Sequence, residues 1–314
     1  MTNAHTNPLI GLEGLPPFSK IKPEHVVPAL KKGIEHCRSA INDVLAKQSY
    51  TWEDLVLPLE EADDKLSRLF SPVSHLNSVM NNDELREAYE QCLPLISEYS
   101  TFVGQHQGLY EAYNALYNSD EFKTLTTAQQ KTITNALRDF KLSGIALNPE
   151  QQKRYGEISA RLSELASKFG NNVMDATLAW HKHITDESQL AGLPESALAL
   201  AADTAKSKDL DGWVFTLDFP SYLPIMTYAD NRELRKETYT AFSTRASDQG
   251  PNAGEFDNSA IMSEELALRH ELAQLLGFNN YAEKSLATKM AESPAQVFSF
   301  LEDLAAKSKP QAEQ

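Results

Sequence analysis

The sequence predicts a mostly α-helical protein: a multi-helix lobe with one short β-strand region. Three observations carry that reading. Apolar residues recur at three- and four-residue steps through most of the chain, which lines them along one side of successive helices. Capping signals, a Ser, Thr, Asp or Asn followed three positions later by Glu, Gln or Asp, stand ahead of several of these runs. Only Trp213 to Phe219 shows the period-two alternation of a strand, with Trp213, Phe215, Leu217 and Phe219 on the core face and Val214, Thr216 and Asp218 between them.

Residues 1–22, rich in proline and glycine, read as an extended lead-in. From Pro23, suited to a first helical turn, Val27, Leu30, Ile34, Cys37, Ile41 and Val44 define a helix with one apolar side. Thr51 with Asp54 resembles a capping box, and Pro58 and Pro72 predict short, kinked helices after it. A helical block follows from Asn82 to Tyr117 with a bend at Pro94, and Thr127 with Gln130 caps a helix that stops near Gly144. Asn148 and Pro149 open the longest pattern, from Tyr155 through Ile158, Leu162, Leu165, Phe169, Val173 and Ala176 to Trp180, a rod of about 45 Å. Glu195 to Lys208 is an alanine-rich helix, after which the strand runs until Pro220 stops it. A proline-flanked turn then leads to Asp230 and Glu233, a capping box for a helix of about four turns. A loop over residues 249–254 precedes a helix marked by Ile261, Leu268, Leu272 and Leu275 and closed by Gly277. Ser293, Pro294 and Gln296 open a last helix with Val297, Phe300, Leu301 and Leu304 facing inward and nothing after Gln314 to cover them, the ending expected of a chain cut short.

The length of 314 residues allows two domains and a substantial core. With 29 Lys plus Arg against 44 Asp plus Glu the net charge is -15, and no basic run breaks it, which argues against nucleic acid or an anionic membrane as partner. The beginning of the chain lacks the basic start and apolar core of a signal peptide, and nothing approaches the ~18 apolar residues of a membrane span. Cys37 and Cys92 stand at unrelated positions, so neither a disulfide framework nor a cysteine zinc site is indicated, and a reducing cytoplasm fits.

The candidate chemistry is sparse. His270-Glu271-Leu272-Ala273-Gln274 comes nearest to the H-E-x-x-H of zinc peptidases, in which two imidazoles one turn apart grip a metal, but Gln274 occupies the second ligand position and an amide is a poor zinc ligand. His181 and His183 would share a face only on a strand, and they follow a helical run. His25, His36, His75 and His106 are solitary. Asp63-Asp64 and Glu264-Glu265 are adjacent on helices and therefore diverge. No Gly-rich phosphate loop, G-x-S-x-G elbow or cysteine-histidine pair appears. Tyr222, Tyr228, Tyr239, Arg232 and Arg245 could bind a peptide backbone or carboxylate, but packing and capping around a strand-to-helix joint is the favoured reading of them. No catalytic residue and no metal ligand is assigned, and the substrate-binding residues stay open.

Longer stretches carry a family likeness. LDFPSYLPIMTYADNRELR (217–235), STRASDQGPNAG (243–254), LALRHELAQLLGFNNYA (266–282) and SLATKMAESP (285–294), with PPFSKIKPEHVVPAL (16–30) and FSPVSHLNSV (70–79), strongly resemble the thimet oligopeptidase family of zinc metallopeptidases. The resemblance implies a two-lobed, largely helical channel that admits short peptides. It also implies a Zn2+ cofactor held by an H-E-x-x-H helix and a later glutamate in the C-terminal half, where the metal polarises the scissile carbonyl and a glutamate takes a proton from the attacking water. His270 and Glu271 precede that helix and are not part of it.

The expected organisation is a lead-in (1–22), an N-terminal helical domain (23–148), a long connecting helix and helical segment (149–211), and the start of a peptidase domain (212–314). The expected function is the N-terminal part of a cytoplasmic zinc metalloendopeptidase, inactive by itself, with short peptides and the missing C-terminal half of the catalytic domain as partners. The rival expectation is a non-catalytic helical peptide-binding or scaffold protein derived from the same fold.

Overall fold

The computed structural model describes residues 7–314, so the first six residues of the expected lead-in lie outside it. Among the described residues there are thirteen α-helices and one two-stranded sheet. The chain divides into two compact units, one made of residues up to Glu164 with Ala267–Gln314, the other of Leu165–Leu266.

In the first unit, α1 (Pro23–Lys47) buries Val26, Ala29, Leu30, Cys37, Ile41 and Val44. Leu9 of the lead-in is buried in the same core, and the Asn7 side-chain amide donates to the His25 carbonyl at 2.8 Å, so the lead-in is tied down by packing and by a backbone contact. Thr51 caps as expected, its hydroxyl accepting from the Asp54 amide, but the Asp54 carboxylate turns to the Ser49 hydroxyl at 2.8 Å. One π-helical turn (Trp52–Val56) then passes into α2 (Leu57–Val79). The short helices expected here are corrected to one element of 23 residues. Pro58 falls in the first turn, where no intrahelical donor is needed, and Pro72 is buried beside Leu69 and Val73, so packing outweighs its missing hydrogen bond.

The block from Asn82 is also corrected. Helix α3 (Asp83–Gly104) runs through Pro94, and the break comes at His106, whose ring nitrogen Nδ1 accepts from the Leu109 amide and starts α4 (Gln107–Tyr117). After the short α5 (Asp120–Thr124), α6 (Thr127–Leu142) is capped by Thr126 with Gln129, one residue earlier than expected, because Gln130 is drawn away to donate to the Phe122 and Leu125 carbonyls. Gly144, at φ +82°, supplies the left-handed stop.

Helix α7 (Pro149–Ala179) is the expected rod, 31 residues long and the source of residues to both units. In the second unit the single expected strand is corrected to a pair. Strand β1 (His181–Ile184) runs antiparallel to β2 (Trp213–Thr216), with Lys182 opposite Phe215 and His183 opposite Val214. Neighbouring Val214 and Phe215 are both buried, so the sheet is covered on both faces and the expected alternation disappears. Helix α8 (Glu195–Ser207) packs on β2 through its alanines.

Phe219, expected on the core face of the strand, is 61% exposed. It begins α9 (Phe219–Tyr228), where a turn was expected, because Pro220 is an acceptable first-turn residue as well as a strand stop. Helix α10 (Arg232–Ser243) is capped by Asn231, which accepts from the Glu233 and Leu234 amides, in place of the expected Asp230. Asp230 instead donates its backbone amide to the Ala191 carbonyl at 2.8 Å.

Helix α11 (Ser259–Leu275) ends at Gly277 as the sequence predicts, with the Phe278 amide returning to the Ala273 carbonyl. The short α12 (Tyr281–Leu286) leads to α13 (Pro294–Ala312), capped by Ser293. The inward face predicted for α13 is corrected: Phe300, Leu301 and Leu304 are 66%, 50% and 51% exposed.

Candidate functional site

The strand-to-helix joint brings together two of its five proposed recognition residues. The Tyr222 ring stacks on Phe242 with centroids 3.9 Å apart, and the Arg245 guanidinium lies 3.8 Å from the centroid of the same ring. Arg245 also donates to the Thr177 hydroxyl at 2.9 Å and to the Phe242 carbonyl at 3.0 Å. Burial lowers its pKa from the ordinary arginine value. Its donors are therefore directed into the joint. Arg235 behaves likewise, donating to the Ala229 and Asp230 carbonyls between α9 and α10. Tyr228 and Tyr239 are each 55% exposed, and Arg232 is exposed on the first turn of α10. Phe242, Thr177 and Arg235 organise the joint, and sequence reasoning missed all three. The three-residue step from Phe242 to Arg245 was the available signal.

The H-E pair on α11 does not fit a metal ion. Arg154 grips Glu271 with two donors, Nε at 2.6 Å and Nη2 at 2.8 Å, and this pairing holds the Glu271 carboxyl below the usual range. Gln274 donates its side-chain amide to the Asn279 carbonyl at 2.8 Å and so helps the chain turn after the helix, and His270 is exposed. His181 and His183 do lie on a strand, contrary to the helical expectation. The His183 ring is 2.6 Å from the Asp211 carbonyl, and no third ligand joins them. Among the described residues no three His, Cys, Asp or Glu side chains converge on a metal position.

A cleft of about 580 Å³ lies in the first unit. Helices α2 and α3 both pack against α1 and meet each other over a smaller area, which leaves α1 as a floor between them. Ile34, Cys37 and Ile41 supply that floor, Phe70 and Tyr99 the sides, and Tyr113 and Phe140 the far end. Glu60, Asp63 and Asp139 bring carboxylates to it. Asp63 and its neighbour Asp64 diverge: Asp63 accepts from the Tyr99 hydroxyl at 3.3 Å, whereas Asp64 accepts from Arg68 at 2.7 Å.

Desolvation dominates the electrostatics of this cleft. Burial raises the Cys37 thiol, the Tyr99 phenol and the Asp63 carboxyl above their ordinary values, although Asp63 itself reaches solvent at the mouth. Tyr113 is only 6% exposed, and burial together with Glu60 and Asp63 raises its pKa. Its hydroxyl makes no hydrogen bond among the described residues. Cys92 lies in a neighbouring part of the core, its thiol raised by burial to about 11.

Comparison with known proteins agrees with the helical architecture. Residues 30–152 match the family model "Neurolysin/Thimet oligopeptidase, N-terminal domain", and residues 225–314 match "Peptidase family M3". The chain is 64% identical over 309 residues to oligopeptidase A of Salmonella typhimurium, covering 98% of this chain and 45% of that protein. It is 62% identical over 308 residues to oligopeptidase A of Haemophilus influenzae, with the same two shares. The organellar oligopeptidase A of Arabidopsis thaliana is 38% identical over 293 residues, 91% of this chain and 36% of the relative. The chain thus spans under half the length of these relatives. With the N-terminal-domain and peptidase models matched in succession along one helical chain, the protein belongs to peptidase family M3, as an N-terminal portion of the oligopeptidase A type.

Proposed function

We propose that these 314 residues are the N-terminal part of a zinc metalloendopeptidase that hydrolyses internal bonds of short peptides, and that they are inactive by themselves. The observation that carries this reading is the 64% identity to an oligopeptidase A of which the chain spans 45%. In a peptidase of this kind the helices of residues 23–148 form a channel wall, α7 and the segment to residue 211 connect, and residues from 212 onward begin the peptidase domain. Zinc is held, in this reading, by residues outside the chain, since Glu271 is committed to Arg154 and Gln274 to a backbone carbonyl. The unpaired Cys37 and Cys92 suit a reducing cytoplasm.

The test compares the 314-residue chain with the same chain extended through an H-E-x-x-H half. Metal analysis and cleavage of an internally quenched peptide should give stoichiometric zinc and chelator-sensitive hydrolysis in the extended protein, and neither in the shorter chain. Zinc-dependent cleavage by the shorter chain would overturn the division of labour. Failure of both to cleave would favour the non-catalytic peptide-binding reading.

A further inference from the structure

We propose that the cleft floored by α1 and flanked by α2 and α3 is a binding site for a small amphipathic cation, an ammonium group carried on an apolar body. Its volume, about 580 Å³, falls in the usual small-molecule range of about 300–1,000 Å³.

The sign of the charge follows from the lining. Among the described residues no Lys, Arg or His contributes to it, so an anionic ligand would meet carboxylates and no compensating cation. Asp139 is already paired with Arg138 at 2.9 Å. Glu60 and Asp63 remain, three residues apart on α2 and therefore neighbours on one helix face, where like charges repel and a cation relieves them. Neither has a cationic partner among the described residues.

The polar end of the ligand is marked by Tyr113. Its side chain is buried, while its hydroxyl has no hydrogen-bond partner among the described residues and is not sealed from the cleft, so it opens into the space that Glu60 and Asp63 border. An ammonium brings three donors and no acceptor, which matches a phenol oxygen and two carboxylates. The Phe70, Tyr99 and Phe140 rings supply apolar walls and π faces that favour a cation over a neutral group of the same shape.

Cys37 makes the site self-reporting, because its thiol lines the floor whereas Cys92 belongs to a different part of the core. In a Cys92→Ala background, the rate at which methyl methanethiosulfonate modifies Cys37 measures access to the cleft. Hexylammonium should bind saturably and slow that reaction, and 1-hexanol, its neutral counterpart, should bind at least about tenfold more weakly, as expected for loss of a charge-assisted hydrogen bond. A Glu60→Gln, Asp63→Asn double variant should bring hexylammonium down to the level of hexanol while hexanol binding stays constant, and Tyr113→Phe should weaken the amine selectively. Equal binding of amine and alcohol, or full amine affinity in a folded double variant, would overturn the proposal. If the double variant does not fold, the amine-to-alcohol ratio in the unsubstituted protein and its fall in Tyr113→Phe decide the question.

Discussion

Glu271 shows how one contact changes the meaning of a motif. Beside His270 it suggests a metallopeptidase glutamate, but the Arg154 fork that holds it comes from 117 residues earlier in the chain and makes it a structural anion. Its depressed carboxyl pKa contributes stability that is present above the unfolded value, about 4.3, and is lost as pH falls through the folded value. Glu271→Gln should therefore lower Tm at neutral pH by a small amount, and the gap from the unsubstituted protein should close in acid. Thermal melts between pH 7 and pH 3 check this, and a gap that stays constant would mean the ion pair contributes nothing. Arg245 follows the same logic in part: beside the nearby Phe242 carbonyl it donates to the Thr177 hydroxyl, 68 residues away in sequence, a partner that chain order does not disclose.

At the level of elements, the two-stranded sheet holds the second unit together. Phe215 on β2 is 1% exposed and belongs to one core cluster with Ile184, Leu190, Ile225 and Leu234, a cluster that joins β1, β2, α9 and α10. Phe215→Ala should cost about 3–5 kcal/mol, the range for emptying a buried aromatic site, measured as a fall in the urea midpoint. A loss below about 1 kcal/mol would show that the site collapses around the smaller side chain. The turn into β2 is equally specific. Gly212 adopts φ +87°, and a Cβ there would sit 2.5 Å from the Ile184 carbonyl oxygen, so β1 approaches as closely as it does only beside glycine. Helix ends were legible where the cap is local, as at Asn148, Gly277 and Ser293. They shifted by a residue at Thr126 and Asn231, where two adjacent residues could each cap and the neighbouring turn selected between them.

For the whole molecule, α13 is the exposed feature of greatest consequence. Phe298, Phe300, Leu301 and Leu304 all lie at least half exposed along one helix. A contiguous apolar face of this kind promotes association. Sedimentation velocity should show concentration-dependent self-association that a Phe300→Ser, Leu304→Ser double variant removes, with stability held within about 0.5 kcal/mol because neither side chain is buried. A strict monomer at every concentration would refute this. The helical class, the long rod of α7, the acidic surface and the family likeness all follow from the sequence, since periodicity, composition and caps act over a few residues of chain. Tertiary structure alone decided the pairing of His181–Ile184 with Trp213–Thr216, the continuity of α2 through Pro72, the grip of Arg154 on Glu271 and the acidic cleft over Cys37. Each of these depends on side chains far apart in sequence meeting in space, where packing and desolvation outweigh local preference.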